Sequence, residues 1–489
     1  MELTELINSL HVIQVAGNVQ RRDVTGIFYD SRKVVKGSIF VAIKGFNVDG
    51  HRFVNEAIGK GAIAVVLENN VAVPDDIFIR TETAKILVKD SRLALAELSR
   101  KFYKNVSEKV KLIGITGTKG KTTTSFIIKT IFETAGLKTG LLGTIANYIG
   151  DKKIESSLTT PESNDLNELL FEMYTNNCTH VVMEVSSHAL ALKRVHGLRF
   201  SAAVFTNISS DHLDFHGTFE NYLSAKKILF DNLDLSAFGV YNIDDKTSPM
   251  IIGNRVAPLY STGKSPDADF FIKNISYDLN GTNFSIRYNN KNYPVSTSLV
   301  GEFNAYNAAF AFAVTTLSGI DPSIAVRGIK RTPQVPGRFE ITGNKNKKVI
   351  VDYSHNADSL EKTLLAIRNI IQHTQPIYTV FGCGGNRDRT KRPVMGKIAS
   401  ELSDKVIITS DNPRNEDPIA IIKEIELGIS LKNYEIIEDR ENAIRTAVEK
   451  SEPDAVILIA GKGHETYQEI KGVRRHFSDR EVADKYLNL

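Results

Sequence analysis

Short apolar runs alternate with amphipathic stretches along most of this chain, and their spacing lays out its architecture. Residues 38–43 and 62–67 read as short strands among turn glycines, and the polar stretch 104–109 reads as a linker. The run 110–116 is short enough for a buried strand. A glycine-rich turn follows it, and then a helix-compatible stretch from 121 to about 134. Runs at 180–185, 202–206 and 238–243 continue the alternation, which is the rhythm of a parallel sheet covered by helices. After the turn Val335-Pro336-Gly337-Arg338 the rhythm restarts, with strands expected at 349–353, 377–382, 405–409 and 455–460. A helix is expected over 359–371, where Asp358 and Glu361 fit a capping box. The expected fold class is therefore α/β in three domains: a small N-terminal unit (1–108), a central parallel-sheet unit (109–334) and a doubly wound C-terminal unit (335–489).

Composition narrows the function more than the fold. With 42% hydrophobic and 24% charged residues, the chain has the make-up of a globular protein. Its 61 basic and 57 acidic residues leave a net charge of +4, which gives no footprint for nucleic acid or an anionic membrane. Cys178 and Cys383 are too isolated for a disulfide framework or a metal knuckle. The opening Met1-Glu2-Leu3-Thr4-Glu5 carries acids where a signal peptide carries bases. No apolar run approaches the roughly 20 residues of a membrane span. We expect a cytoplasmic monomer with no nucleic-acid or membrane partner.

The candidate chemistry starts at Gly117-Thr118-Lys119-Gly120-Lys121-Thr122, which follows a strand and opens a helix. Glycines let successive amides face phosphate oxygens, and the helix N-terminus adds partial positive charge. Lys121 can reach the outer phosphates and the Thr122 hydroxyl can meet Mg²⁺. Ile115 stands where the common phosphate loop has its first glycine. Glu184, at the end of the 180–185 run, and the polar stretch 207–214, after the next run, emerge at the same sheet edge. Each alone would more often satisfy a loop or an ion pair; their convergence favours a metal and phosphate site.

These segments together resemble the Mur ligase family, which builds the peptide of the bacterial cell-wall precursor. The resemblance rests on 116–123, Thr159-Thr160-Pro161-Glu162, Glu184-Val185-Ser186-Ser187-His188, 207–217, 301–307, 335–339 and Asp352-Tyr353-Ser354-His355. It runs from about Asp30 to the C-terminus. Segments 381–388, Asp411-Asn412-Pro413-Arg414 and Gly461-Lys462-Gly463-His464-Glu465 are similar to the members that add the third amino acid. The resemblance implies an N-terminal domain for the UDP end, a central ATPase domain and a Rossmann-like C-terminal domain for the incoming amino acid. It also implies that ATP phosphorylates the γ-carboxylate of UDP-N-acetylmuramoyl-L-alanyl-D-glutamate, and that an amine attacks the acyl phosphate.

By the same resemblance, Gly117, Thr118, Lys119, Gly120, Lys121, Thr122 and Thr123 bind ATP, with Asn304 and Asn307 on its adenine side. Arg338, Asp352 and His355 close on ATP from the C-terminal domain. Thr122 and Glu184 approach one Mg²⁺ and His212 lies near a second, and Lys226 matches a lysine that is carbamylated in many members and joins the metal ligands as its carbamate; Lys121, Glu184, His212 and Lys226 form the catalytic set. Ser31, His51, Thr159, Thr160, Ser186, Arg194 and Lys226 meet the UDP-muramoyl peptide, whereas Leu192 stands where some relatives have glutamine. Arg387, Asp411, Asn412, Pro413, Arg414, Gly461 and Glu465 are implied to hold meso-diaminopimelate. A guanidinium at Arg414 can pair with its distal carboxylate through two parallel hydrogen bonds, and Glu465 can meet the distal ammonium. Asn386 replaces a common family aspartate. The competing expectations are an L-lysine-adding member, a folate-type amide ligase, and a nucleotide-binding switch without ligase chemistry.

Overall fold

The run at 110–116 becomes the strand Lys111–Thr116, whose residues after Lys111 are all buried. That burial on both faces is why it reads as continuous apolar sequence and not as an alternation. The computed structural model describes residues 1–488 apart from 47, 254, 255, 345 and 373. The chain divides into two compact units, one of Met1–Phe271 with Ala309–Gly328, the other of Ile272–Ala308 with Ile329–Leu489.

The first unit holds two sheets. In the N-terminal sheet the strands run in the order Val12–Ala16, Ala84–Val88, Ala64–Leu67, Ile39–Val41, Ile27–Phe28. All neighbours are parallel except the edge strand Val12–Ala16. Apolar clusters cover both faces, one around Ile39, Val41 and Leu95, the other around Phe40, Val65 and Phe78. The stretch expected to be a polar linker is instead a short 3-10 turn, Val106–Glu108, with Val106 wholly buried in the core of the following domain. Its single apolar residue decided the matter, because a polar count over six residues does not register one buried anchor.

In the second sheet, Lys111–Thr116 lies between His180–Glu184 and Ala202–Phe205, all parallel, with Glu184 opposite Ile115. Thr139–Leu142 flanks one side, and Phe238–Asn242 followed by Leu259–Gly263 the other. The strand ends that carry the phosphate loop, Glu184 and Thr206 therefore emerge at one edge.

The second unit is built on a six-stranded sheet in the order Glu340–Gly343, Lys348–Asp352, Val456–Ala460, Ile377–Phe381, Lys405–Ile408, Tyr434–Ile436. It is parallel but for its first strand. Two apolar layers sandwich it. The expected helix is present as Ala357–Ile371, but its cap is a correction. Asn356 caps it, accepting from the Ser359 amide at 2.8 Å and closing the box with the Ser359 hydroxyl. The helix starts two residues earlier than expected, so Asp358 sits inside the first turn and pairs with Lys362 at 2.6 Å. Among the described residues, no helix is long and apolar enough to cross a membrane.

Candidate active site

In the first unit the phosphate loop is fixed by a close backbone approach. Gly117 has φ +147°, and a Cβ there would sit 2.0 Å from the Thr206 hydroxyl. The Thr206 hydroxyl in turn donates to the Lys119 carbonyl at 2.7 Å. The Asn207 side chain accepts from the Lys119 amide at 3.0 Å, and its carbonyl accepts from the Thr118 amide at 2.8 Å. The Thr118 hydroxyl sits 3.0 Å from the Tyr222 hydroxyl. Gly120 occupies the N-cap of helix Lys121–Thr134 with φ +87°, so no side chain competes for that helix's first amides. Lys121 Nζ folds back onto the Gly117 and Thr118 carbonyls at 2.9 and 3.0 Å. Thr122 and Thr123 are buried in the first helical turn.

The oxygens behind the loop are held just as closely. Glu184 is fully buried, and its carboxylate accepts from the Thr122 hydroxyl at 2.9 Å and from the Thr144 amide and hydroxyl at 2.9 and 3.1 Å. The Thr144 hydroxyl also meets Thr159 at 3.1 Å. Thr160 donates to the Glu184 carbonyl at 2.8 Å and lies 3.3 Å from the Ser186 hydroxyl. Arg194 donates to the Thr160 carbonyl at 3.1 Å and pairs with Glu162 at 2.7 Å. One connected network thus links Thr122, Glu184, Thr159, Thr160, Ser186 and Arg194.

Lys226, on helix Phe219–Asp231, is buried and donates to the Gly117 carbonyl at 2.8 Å with its ammonium 4.5 Å from the centre of the Tyr222 ring. Burial, reinforced by the Lys121 charge, pushes its pKa well below the ordinary lysine value. His212 is half-exposed with a left-handed backbone, 4.8 Å between ring centres from His188. His188 also lies 5.6 Å from His216, and burial lowers its pKa to about 4. Among the described residues, no three His, Cys, Asp or Glu side chains form a metal cage. The donors that do meet here, the Thr122 hydroxyl and the Glu184 carboxylate, are hard oxygens 2.9 Å apart, which suits Mg²⁺ better than a softer metal.

A cavity of about 650 Å³ opens among Tyr29, Asp30, Ser31, Arg32, Arg92 and Glu162. Ser31 donates to Glu56 at 2.8 Å, and Tyr29 donates to Asp165 at 2.6 Å. His51 does not line this cavity. Its ring bonds Asp49 at 2.6 Å through Nδ1 and receives the Glu68 and Asn69 amides at Nε2, so both nitrogens are spent on the fold. The neighbouring Gly50 and Phe53 line the cavity in its place.

The second unit carries the other expected groups. Gly337 has φ +64°, and a Cβ there would lie 2.1 Å from the His464 nitrogen, so the 335–338 turn docks on the 461–465 loop. Arg338 lies over the Tyr353 ring at 5.1 Å, and its buried Nε has no hydrogen-bond partner among the described residues. Asp352 accepts from the Phe339 amide at 2.7 Å, and His355 donates to the Tyr353 carbonyl at 2.9 Å. Asn304 and Asn307 are buried on the first turns of helix Glu302–Leu317, joined at 2.9 Å.

At the strand ends of the second sheet, Arg414 (φ +52°) donates to the Gly385 carbonyl at 2.8 Å. The space that a Cβ on Gly384 would fill lies 2.9 Å from Arg414 Nη1 and 3.7 Å from Arg387 Cγ, so the two arginines flank one glycine. Arg414 makes no ion pair among the described residues. Glu416, its nearest acidic neighbour in sequence, is taken by the buried Arg392 through bonds of 3.0 Å. Those bonds, with the Asn386 amide, lower the Glu416 pKa to about 2. Asp411 and Asn412 are buried, and Gly461 (φ +118°) passes directly against the Asp411 carboxylate. Asn412 donates to Glu465 at 2.8 Å, and Pro413 packs its carbonyl against Gly385.

The sequence reading missed Tyr222, Thr144, Arg92, Arg392 and Lys462. None lies in a motif-like position except Lys462, where a lysine between two glycines was the one available signal.

A parallel-sheet unit with a phosphate cradle, joined in one chain to a doubly wound unit with paired arginines and a carboxylate at its strand ends, is the layout of an ATP-dependent acid–amine ligase. Family models match three successive segments: Mur ligase family, catalytic domain, over 23–103; Mur ligase middle domain over 115–315; and Mur ligase, glutamate ligase domain, over 337–463. The chain is 44% identical to the UDP-N-acetylmuramoyl-L-alanyl-D-glutamate--2,6-diaminopimelate ligase of Clostridium botulinum, covering 100% of this chain and 99% of that one. It is 42% identical, with the same coverage, to ligase 1 of that name from Clostridium acetobutylicum. A solved structure of a UDP-N-acetylmuramoyl-L-alanyl-D-glutamate--2,6-diaminopimelate ligase superposes with a TM-score of 0.71 at 30% identity, covering 100% and 99% of the two chains. The chain belongs to the Mur ligase family, with its three-domain architecture and its ATP-dependent formation of amide bonds.

Proposed function

We propose that this ligase joins meso-diaminopimelate to UDP-N-acetylmuramoyl-L-alanyl-D-glutamate, in the cytoplasm and as a monomer, in peptidoglycan precursor synthesis. The observation that carries the reading is the placement of Arg414 and Arg387 around Gly384, with Arg414 left without an acidic partner among the described residues. A substrate with a second carboxylate gives that guanidinium its counter-charge. The relatives named for this reaction, matched along the whole chain, support it.

The domains carrying these tasks are 1–108 for the UDP end, 109–334 for ATP and 335–489 for the amino acid. A carboxylate is a poor acyl donor because oxide would have to leave; transfer of the ATP γ-phosphoryl group supplies a workable leaving group. The glutamyl carboxylate oxygen attacks the γ-phosphorus and ADP departs. The neutral amine then attacks the acyl carbon, and phosphate leaves as the amide forms. Gly117–Thr123 cradle the phosphates, and Lys121 exchanges its contacts with the Gly117 and Thr118 carbonyls for phosphate oxygens. Thr122 and Glu184 would hold one Mg²⁺ and His212 a second, supplying charge neutralisation at those oxygens. Lys226 is the amine that takes up CO₂: burial and the Lys121 charge favour its neutral form, from which an N–C bond forms and a proton is released. The resulting carbamate adds oxygens where an ammonium would repel the metal. Thr159, Thr160, Ser186 and Arg194 hold the peptide, Ser31 lies at the UDP end, and His51 supports the wall of that cavity from behind. Asn304, Asn307, Arg338, Asp352 and His355 complete the nucleotide contacts. Asp411, Asn412, Pro413, Gly461 and Glu465 shape the amino-acid cradle.

The test is a reconstitution with ATP, Mg²⁺, the UDP-muramoyl dipeptide and meso-diaminopimelate, reading phosphate release together with product mass. Phosphate release that requires all components, and a product equal to both substrates less water, is expected. Phosphate release that ignores the dipeptide, or proceeds without amide, would sink the proposal.

A further inference from the structure

Glu465 is set in place by a lysine that no solvent reaches. Lys462 has a fully buried side chain, and its ammonium donates to Asn412 Oδ1 at 3.2 Å, to Glu465 Oε2 at 3.3 Å and to the Tyr467 carbonyl. An ammonium has three N–H donors, and here all three are spent on the protein. Asn412 closes the triangle: its Nδ2 donates to the same Glu465 Oε2 at 2.8 Å, while its Oδ1 also receives the Glu469 amide at 2.9 Å. Glu465 Oε2 thus holds two donors. Oε1 has no hydrogen bond among the described residues, and the carboxylate side chain keeps 19% of its surface exposed.

If this place needed filling alone, an apolar side chain would serve without the cost of burying a charge. The ammonium does something that a methyl group cannot: it fixes which carboxylate oxygen stays available. Resting on the diaminopimelate reading, we propose that Lys462 is a positioning residue for amino-acid selection. It clamps Oε2 of Glu465 so that Oε1 receives the distal ammonium of the incoming amino acid, and it never touches that substrate itself. Arg414 and Lys462 then divide the task, one meeting the distal carboxylate directly, the other acting on the distal amine through Glu465.

Two experiments in sequence separate this proposal from the reading beneath it. An amino-acid panel on the unmutated enzyme first establishes which amino acid is used; an outcome other than meso-diaminopimelate overturns the functional reading, and Lys462 is then judged with the amino acid found. Lys462→Met is next expected to raise the KM for that amino acid about tenfold or more, while the KM for ATP and for the UDP-muramoyl dipeptide stays within about twofold. Glu465→Gln carries the same loss, and the double variant Lys462→Met/Glu465→Gln is expected to be no worse than Glu465→Gln alone, because both remove one interaction. An unchanged amino-acid KM, a parallel rise in all three KM values, or additive losses in the double variant would overturn the proposal. Should Lys462→Met not fold, Lys462→Gln, which keeps a polar head at that place, must show the same KM split; parallel rises there contradict it equally.

Discussion

Around the phosphate loop, lysine side chains turn inward onto backbone carbonyls: Lys121 onto Gly117 and Thr118, Lys226 onto Gly117. In the second unit the buried cations Arg392 and Lys462 hold acidic side chains, Glu416 and Glu465, while Arg414 has no acidic partner among the described residues. The first arrangement suits a phosphate ligand, since backbone amides with lysines held beside them recognise phosphate oxygens and little else. The second suits discrimination, because a cation without an acidic partner among the described residues and a carboxylate braced by a buried lysine fit a particular pattern of charges.

The sharpest way to break this contrast is at Lys121. Lys121→Ala is expected to lower kcat by about 10³-fold, the loss typical of a removed charge-stabilising donor, with an unchanged melting temperature. An undiminished kcat would remove Lys121 from the chemistry. Lys226→Ala is expected to cost about 10²-fold in kcat and to abolish a mass increment of one CO₂ that the unmutated protein carries in bicarbonate. Full activity of that variant, indifferent to bicarbonate, would contradict the carbamate.

In the second region the effect should fall on KM. Arg414→Ala is expected to weaken amino-acid use by on the order of 2 kcal/mol, about 30-fold, with the KM for ATP unchanged. An equal loss for ATP would mean that Arg414 supports the domain and not the substrate.

The smallest expected effect is a matter of pH. Arg392 first, and the Asn386 amide second, lower the Glu416 pKa from 4.5 to about 2. A depressed carboxyl pKa stabilises the folded state above the unfolded value and loses that contribution as pH falls. Glu416→Gln is therefore expected to be less stable than the unmutated protein at neutral pH, with the difference shrinking between about 4.5 and 2. Denaturant midpoints across that range check it; a constant difference would show that the Arg392 pair does not act through the Glu416 charge.

Much of the frame was legible in the sequence because it rests on local rules. Buried parallel strands announce themselves as short continuous apolar runs, and a Gly-Lys-Thr turn after such a run carries its own geometry. The misses share the opposite property. Val106 reads as part of a polar linker until a core from another segment closes over it, and Asp358 yields its cap to Asn356 over a shift of two residues. The Glu68 and Asn69 amides that meet the His51 ring lie 17 and 18 residues away and were likewise not readable from the sequence. Arg392 is invisible for the same reason, its partners Glu416 and Glu424 lying far along the chain, and Lys462 showed only its place between two glycines, not its bond to the distant Asn412.

On this reading the second region selects its amino acid by charge. The most direct measurement is a competition: equal concentrations of meso-diaminopimelate and L-lysine in one reaction with ATP, Mg²⁺ and the UDP-muramoyl dipeptide, with the products separated by mass. The diaminopimelate product is predicted to dominate in the unmutated enzyme and to lose most of that advantage in Arg414→Ala. Equal products from the unmutated enzyme would contradict the claim.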